Sequence, residues 1–270
     1  MGKTISVEKT IRAIVRNSVE LYASVFSERH ISELRNPEGT INMKIHNIFI
    51  KVLGKEIQYY SSLARSLDSS LGNMLETMAI NIAKLSYEVY DSVEGEISTQ
   101  QINAISNILE EYTRHIKKPD IKDYQILRNN VKLKDVFHKR KASDYYLIDL
   151  SKKEHHLIEL KIGGDLDNKK SRSEKEAILE QYAILSNSLP KNAKISIHFA
   201  TAYNRFGEGN EWNQSRVLQF FAKEELLIGK DFWNFICKLN NGYDIVIDEY
   251  SKSAHLIVAA LNHIKKLYLG

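Results

Sequence analysis

The residues best suited to chemistry are two acids and a lysine. Glu159-Leu160-Lys161 stands in the apolar run from His156 to Ile162, and a similar run, Asp144 to Leu150, precedes it. Successive side chains of an extended strand alternate between faces, so an acid and a lysine separated by one residue point the same way. Two other acid-x-lysine tripeptides exist, but Asp120-Ile121-Lys122 follows a proline and Asp167-Asn168-Lys169 lies in a polar stretch. Only Glu159 and Lys161 have an apolar strand around them. The polar residues from Ser151 to His155 read as the loop of a hairpin. With the turn centred on Lys152 and Lys153, antiparallel pairing sets Asp144 opposite Lys161 and Asp149 opposite His156. Asp144 then shares the face of Glu159 and Lys161, and Asp149 stays by the turn. Such a set is the minimum for hydrolysing a phosphodiester. The carboxylates hold a divalent cation, and the lysine orients and helps deprotonate the attacking water.

Charge is concentrated around the same segment. The 270-residue chain has a net charge of only +4, yet residues 114–175 hold 17 Lys and Arg against 10 Asp and Glu, leaving −3 for the remainder. Three clusters result: Arg114, Lys117 and Lys118; Lys132, Lys134, Lys139, Arg140 and Lys141; Lys169, Lys170 and Arg172. Cations so grouped suit the neutralisation of phosphates.

The positioning elements follow from periodicity. From Ser6 to about His115 apolar residues recur at helical spacing, as in Ile11, Ile14, Val15 and Val19, or Ile80, Ile82, Leu85 and Tyr87. Pro119 marks a change of texture, so residues 1–115 are expected to be a mainly helical region and 116–270 a catalytic core. The core reads as strand, strand, a helix over Ser173 to Leu185, then a strand through Ile195, Ile197 and Phe199. A polar loop from Tyr203 to Trp212 follows, then a strand or helix near Val217 to Phe221 and a helix over Phe232 to Leu239. A short strand, Tyr243 to Ile247, and a closing helix, Ala254 to Leu267, complete the reading.

Several classes are excluded. A single cysteine, Cys237, forms neither an intrachain disulfide nor a cysteine zinc cluster, and within Phe235-Ile236-Cys237 it reads as a small buried hydrophobe. No run approaches 18 apolar residues, and Lys3, Glu8, Lys9 and Arg12 interrupt the start of the chain, so no membrane contact and a cytoplasmic location are expected. Adjacent His155 and His156 face opposite ways in a strand and are read as turn and surface residues. His198, on an alternating strand, is read as structural.

Asp144 with Glu159-Leu160-Lys161, then Ile162-Gly163-Gly164-Asp165-Leu166-Asp167-Asn168-Lys169-Lys170 leading into a helix with Glu180-Gln181-Tyr182, resembles the PD-(D/E)XK nucleases. More narrowly it resembles type II restriction endonucleases of the TdeIII-like group. The likeness extends to the stretch Ser69 to Glu76 and to Ile228-Gly229-Lys230-Asp231-Phe232-Trp233, spanning roughly residues 65–240. Ser143 stands where a proline usually precedes the first acid. The resemblance implies an α/β fold, with a central mixed sheet flanked by helices beside the helical N-terminal region. It also implies a homodimer that uses Mg²⁺, with Mn²⁺ able to substitute, to cut double-stranded DNA at a GC-rich interrupted palindrome, GGNCC being the first guess. A cognate DNA methyltransferase is the implied functional partner. In that reading Asp144, Glu159 and Glu76, the last on a helix after Leu71-Gly72, hold the metal. Lys161 acts on water, and Gln181 reaches the active site or the scissile phosphate. Lys139, Arg140, Lys141, Lys169, Lys170 and Arg172 contact DNA; the last three open a helix, where cations oppose the macrodipole and call for anionic partners. Two alternatives stand: a structure-specific repair or junction nuclease of the same fold, and a non-catalytic DNA-binding or interaction protein. A need for a short palindrome separates the first, and the effect of mutating Glu159 the second.

Overall fold

The computed structural model describes residues 2–129 and 135–270. In chain order the main elements are α1 (Gly2–Arg35), α2 (Lys55–Ala83), β1 (Tyr87–Ser98), α3 (Thr99–Thr113), β2 (Val136–Asp149) and β3 (His155–Leu160). Then follow α4 (Asn168–Ser188), β4 (Ile195–Thr201), β5 (Leu226–Ile228), α5 (Lys230–Cys237) and α6 (Gly242–Leu269). The chain divides into two compact units, residues 1–81 with 244–270, and residues 82–243. The expected boundary near 115 falls inside the second of these.

The first unit is helical. Ile11, Val15, Val19, Tyr22 and Phe26 recur every three or four residues along α1 and are buried, as are Tyr59, Leu63, Met74 and Met78 of α2. A stripe of this width is what a helix buries against neighbours. α6 brings Ile245, Val246, Ile257 and Ile264 to this core, together with the buried Glu249, whose carboxylate accepts from Arg16 Nε at 2.9 Å. The strand expected at Tyr243–Ile247 is absent, because those residues open the single helix α6. A short β-branched run does not by itself distinguish strand from buried helix, and burial of Ile245, Val246, Glu249 and Ser253 at helical spacing decides it.

The second unit is α/β. Its five-stranded sheet has the order β1-β2-β3-β4-β5, with β1, β2 and β3 antiparallel and β3, β4 and β5 parallel. The helical reading of the first 115 residues therefore fails over β1. Ile82 belongs to the end of α2 and Tyr87 to the start of a strand, so their spacing spans two elements. Tyr87, Val89, Tyr90, Val93 and Ile97 are β-branched or aromatic, and pairing runs from Tyr87 opposite Asp149 to Ser98 opposite Val136, with one irregularity between Tyr90 and Ser92. The three-residue β5 was not expected as a strand.

Helices cover both faces of the sheet. On one, Val93, Ile97, Tyr146, Leu157, Ile197 and Phe199 join Ile105 and Leu109 of α3 and Ile178, Leu179 and Tyr182 of α4 in a single core. Each such side chain contributes about 1.5–3 kcal/mol by leaving water. On the other face Tyr145 packs edge-on against Phe232 of α5, and Tyr87 stacks on Phe235. Because Tyr146 and Leu157 alternate with their neighbours, the face under α4 is also that of Asp144 and Glu159.

Candidate active site

The hairpin forms with a tighter turn than the spacing suggested. Tyr145 pairs with Ile158 and Ile148 with His155, and the Asp149 amide donates to Glu154 O at 2.9 Å. Every partner on β3 thus lies two residues earlier than expected, and the same register carries Asp144 opposite Glu159 instead of Lys161. A shift of two preserves the face, so the three side chains still converge. The turn explains the shift. Asp149 Oδ1 accepts from the amides of Ser151 at 2.7 Å and Lys152 at 2.9 Å, an Asx turn that closes the chain early, with Lys153 in the left-handed region at φ 56°.

Asp144 Oδ2 accepts from the Leu160 amide at 2.9 Å, which holds its carboxylate beside the end of β3. Lys161 Nζ donates to Glu159 Oε1 and lies 3.9 Å from Asp144 Oδ2 and 3.2 Å from Glu174 Oε1. One ammonium therefore faces three carboxylates. Glu159 is buried, and burial with the neighbouring Asp144 charge pushes its carboxyl up to about 8 against the pull of Lys161. Burial would lower the Lys161 ammonium, but Glu159, Asp144 and Glu174 outweigh it and hold the pKa above its ordinary value. Past Lys161 the backbone turns away through Gly163 and Gly164. A Cβ at Gly163 would meet the Tyr203 hydroxyl at 2.6 Å, and one at Gly164, whose φ is +64°, would meet Thr201 Cγ2 at 2.7 Å.

Helix α4 lies over this face. Its start is capped by Asp167, whose Oδ1 accepts from the Lys170 amide at 2.8 Å and places a negative charge at the N-terminus where Lys169 and Lys170 stand exposed. Glu174 and Gln181, seven residues apart, share one helical face. Gln181 Nε2 donates to Ala142 O at 2.8 Å, pinning β2 two residues before Asp144, while its buried Oε1 has no hydrogen-bond partner among the described residues. Gln181 thus sits against β2, the strand that carries Asp144. Glu174 was missed in the sequence, although its two-turn spacing from Gln181 was a usable signal. Lys175, next to it, was also missed: fully buried, it pairs with Glu225 Oε1 at 2.7 Å and reaches the Tyr124 hydroxyl.

The other expected site residues are dispersed. Lys139 and Lys141 both bond the buried Glu180, Lys139 at 3.1 Å. Exposed Arg140 lies 3.9 Å from Asp91, and Arg172 lies 3.5 Å from Glu110. Lys132 and Lys134 lie outside the described residues. Glu76 is half-buried on α2 in the helical unit. His155 and His156, read as surface residues, are in fact buried, because both faces of β3 are covered; they share hydrogen bonds with the Tyr146 hydroxyl at 2.8 Å and Ser196 Oγ at 2.7 Å. Cys237 is buried, and burial raises its thiol to about 12.

Among the described residues no group of three or more His, Cys, Asp or Glu side chains is arranged as a ready cation cage. Asp144 and Glu159 nevertheless offer hard oxygen donors side by side, the ligand type magnesium and manganese prefer. Two crowded carboxylates against one ammonium leave negative charge that a divalent cation would neutralise.

The mixed sheet with helices on both faces is the fold class that the resemblance implied, and its hairpin brings two acids and a lysine to one face. The family model of HinfI, type II restriction endonuclease, matches residues 4–254, and the chain belongs to that family, an enzyme class of site-specific deoxyribonucleases. The restriction-endonuclease class read from the motifs therefore holds, whereas the family found is HinfI and not the TdeIII-like group. No curated protein matches the chain. Among the described residues no helix is long and apolar enough to cross a membrane.

Proposed function

We propose that this restriction endonuclease is a cytoplasmic homodimer that cleaves double-stranded DNA at a short interrupted palindrome, using Mg²⁺ held by Asp144 and Glu159. The observation that carries the reading is the convergence of Asp144, Glu159 and Lys161 on one sheet face. Bound there, Mg²⁺ supplies charge neutralisation at the phosphate and a lowered pKa for attacking water. Lys161, as an ammonium, orients that water and stabilises the hydroxide left when it is deprotonated, while Gln181 holds β2 and hence Asp144 in place. Lys139, Arg140, Lys141, Lys169, Lys170 and Arg172 neutralise DNA phosphates, a role open at once to the exposed Lys169 and Lys170. The others must exchange a carboxylate for a phosphate. A cognate methyltransferase protects the host's own sites.

The test is incubation of the full chain with unmethylated phage DNA and Mg²⁺, followed by sequencing of fragment ends, with Glu159→Ala as control. A common palindrome at the ends, lost in the control, supports the reading, and GGNCC is the first sequence to compare. Mn²⁺ should replace Mg²⁺. Ca²⁺, which takes more oxygen ligands at longer distances, should support binding without cleavage. Cutting in excess EDTA would refute the metal mechanism.

A further inference from the structure

We infer that Glu174 is a positioning residue for Lys161, the counter-ion that keeps the ammonium beside the scissile phosphate once a divalent cation occupies Asp144 and Glu159. This rests on the function proposed above. Lys161 is held chiefly by Glu159, with Asp144 farther off at 3.9 Å. Those two acids are the oxygen donors a cation would take, and a divalent ion at that place repels an ammonium a few ångströms away. Lys161 must then lose its main partners and gain a repulsive neighbour in one step. Its long, flexible side chain would swing out unless something held it from another direction.

Glu174 does so, reaching Lys161 Nζ at 3.2 Å from α4 instead of from the hairpin. The helix backbone there is fixed. Lys175 is locked into its buried pair with Glu225, Gln181 ties the same helical face to Ala142, and Ile178 and Leu179 are buried beneath. Rotation or sliding of α4 would break all of these together, so the carboxylate of Glu174 stays in place when Glu159 turns to the metal. The contact that Glu174 makes in the site is with Lys161, at 3.2 Å, and this assigns it to the lysine.

The experiment compares wild type, Glu174→Ala and Glu174→Gln as full-length protein, each checked by thermal melting. Three quantities are read: affinity for Mn²⁺ alone by calorimetry, DNA affinity in Ca²⁺, and the single-turnover cleavage rate at saturating DNA and Mg²⁺. Loss of an orienting contact costs on the order of a hundredfold in rate. Glu174→Ala should therefore cut about 100-fold more slowly, with Mn²⁺ and DNA affinities within about threefold of wild type. Glu174→Gln keeps an oxygen acceptor at the same reach and should recover most of the rate. A tenfold or greater loss of Mn²⁺ affinity would make Glu174 a metal ligand, and an unchanged rate in both variants would make it a bystander; either overturns the inference. A wild-type chain that cuts no DNA would instead overturn the proposed function, and the inference with it.

Discussion

At the scale of single residues, two aspartates on β2 make opposite demands. Asp144 faces α4 with Glu159 and Lys161, whereas Asp149 is five residues on, on the other face, bonded to Ser151, Lys152 and Lys238. Lys238 and the turn donors hold the Asp149 carboxyl below its usual range despite the cost of burial. Asp144→Asn, Glu159→Ala and Lys161→Ala should each lower cleavage about a thousandfold or more, several kcal/mol of transition-state stabilisation, while DNA binding survives on other cations. Asp149→Asn should keep cleavage and lose about 1–3 kcal/mol of stability, because the Lys238 ammonium and the turn amides lose a charged acceptor that is itself buried. Single-turnover rates with gel-shift binding separate the two classes; a dead Asp149→Asn beside an active Asp144→Asn would refute the assignment. The face of Asp144 was legible because strand periodicity survives a two-residue error. Glu174 was legible only as a neighbour of Gln181 on one helix face, since its contact with Lys161 depends on tertiary packing.

At the scale of elements, α4 carries the tension between burial and charge. Lys175 has no exposure, and burial lowers its pKa while Glu225 opposes the shift. Breaking such a pair by removing one partner leaves a buried charge uncompensated, so Glu225→Ala should cost about 3–5 kcal/mol in urea unfolding. Lys175→Met with Glu225→Leu should be far milder, as neither charge remains. If both variants unfold at the same urea concentration, the pair does not hold α4. Nothing in the local sequence marks Lys175 as buried, for lysine on a surface-like helix pattern is ordinarily solvated.

The sheet's far face makes a separate prediction. His198 lies with His156 and Phe235 between β4 and α5, its Nδ1 has no hydrogen-bond partner among the described residues, and burial with the nearby His156 lowers its pKa to about 3. Its folded value lies below the unfolded one near 6.5, so the unfolded state binds the extra proton as pH falls. The contribution is full above about pH 6.5 and is lost progressively toward pH 3, at up to about 1.4 kcal/mol per pH unit for the one site. Urea melts between pH 7 and pH 4 should show wild type losing stability faster than His198→Phe. Parallel curves would show that His198 does not titrate on unfolding.

At the scale of the whole molecule, the order strand, strand, helix, strand was legible because hydrophobic period and turn residues agree along the catalytic core. The division into units was not, since α6 returns to α1 across most of the chain: Arg12 Nη1 pairs with the Asp248 carboxylate at 2.5 Å, 236 residues away. Local patterns carry no record of such a closure. Oligomeric state is the last consequence at this scale. A protein that reads the same letters on both strands of a palindrome matches the DNA's two-fold axis with its own. Within the first 60 residues Ile48, Phe49, Val52 and Leu53 are 66%, 81%, 75% and 63% exposed, a run of apolar side chains that a lone chain leaves in water. If a second copy covers it, light scattering should give twice 31.1 kDa for wild type, and Phe49→Glu with Val52→Glu should give the monomer mass with an unchanged thermal midpoint, because neither side chain supports the monomer's core. The double variant should also lose double-strand cleavage at dilutions where wild type retains it. A wild-type mass of 31.1 kDa at all concentrations, with and without cognate DNA, would refute the dimer; a dimer untouched by the double variant would move the contact to another surface.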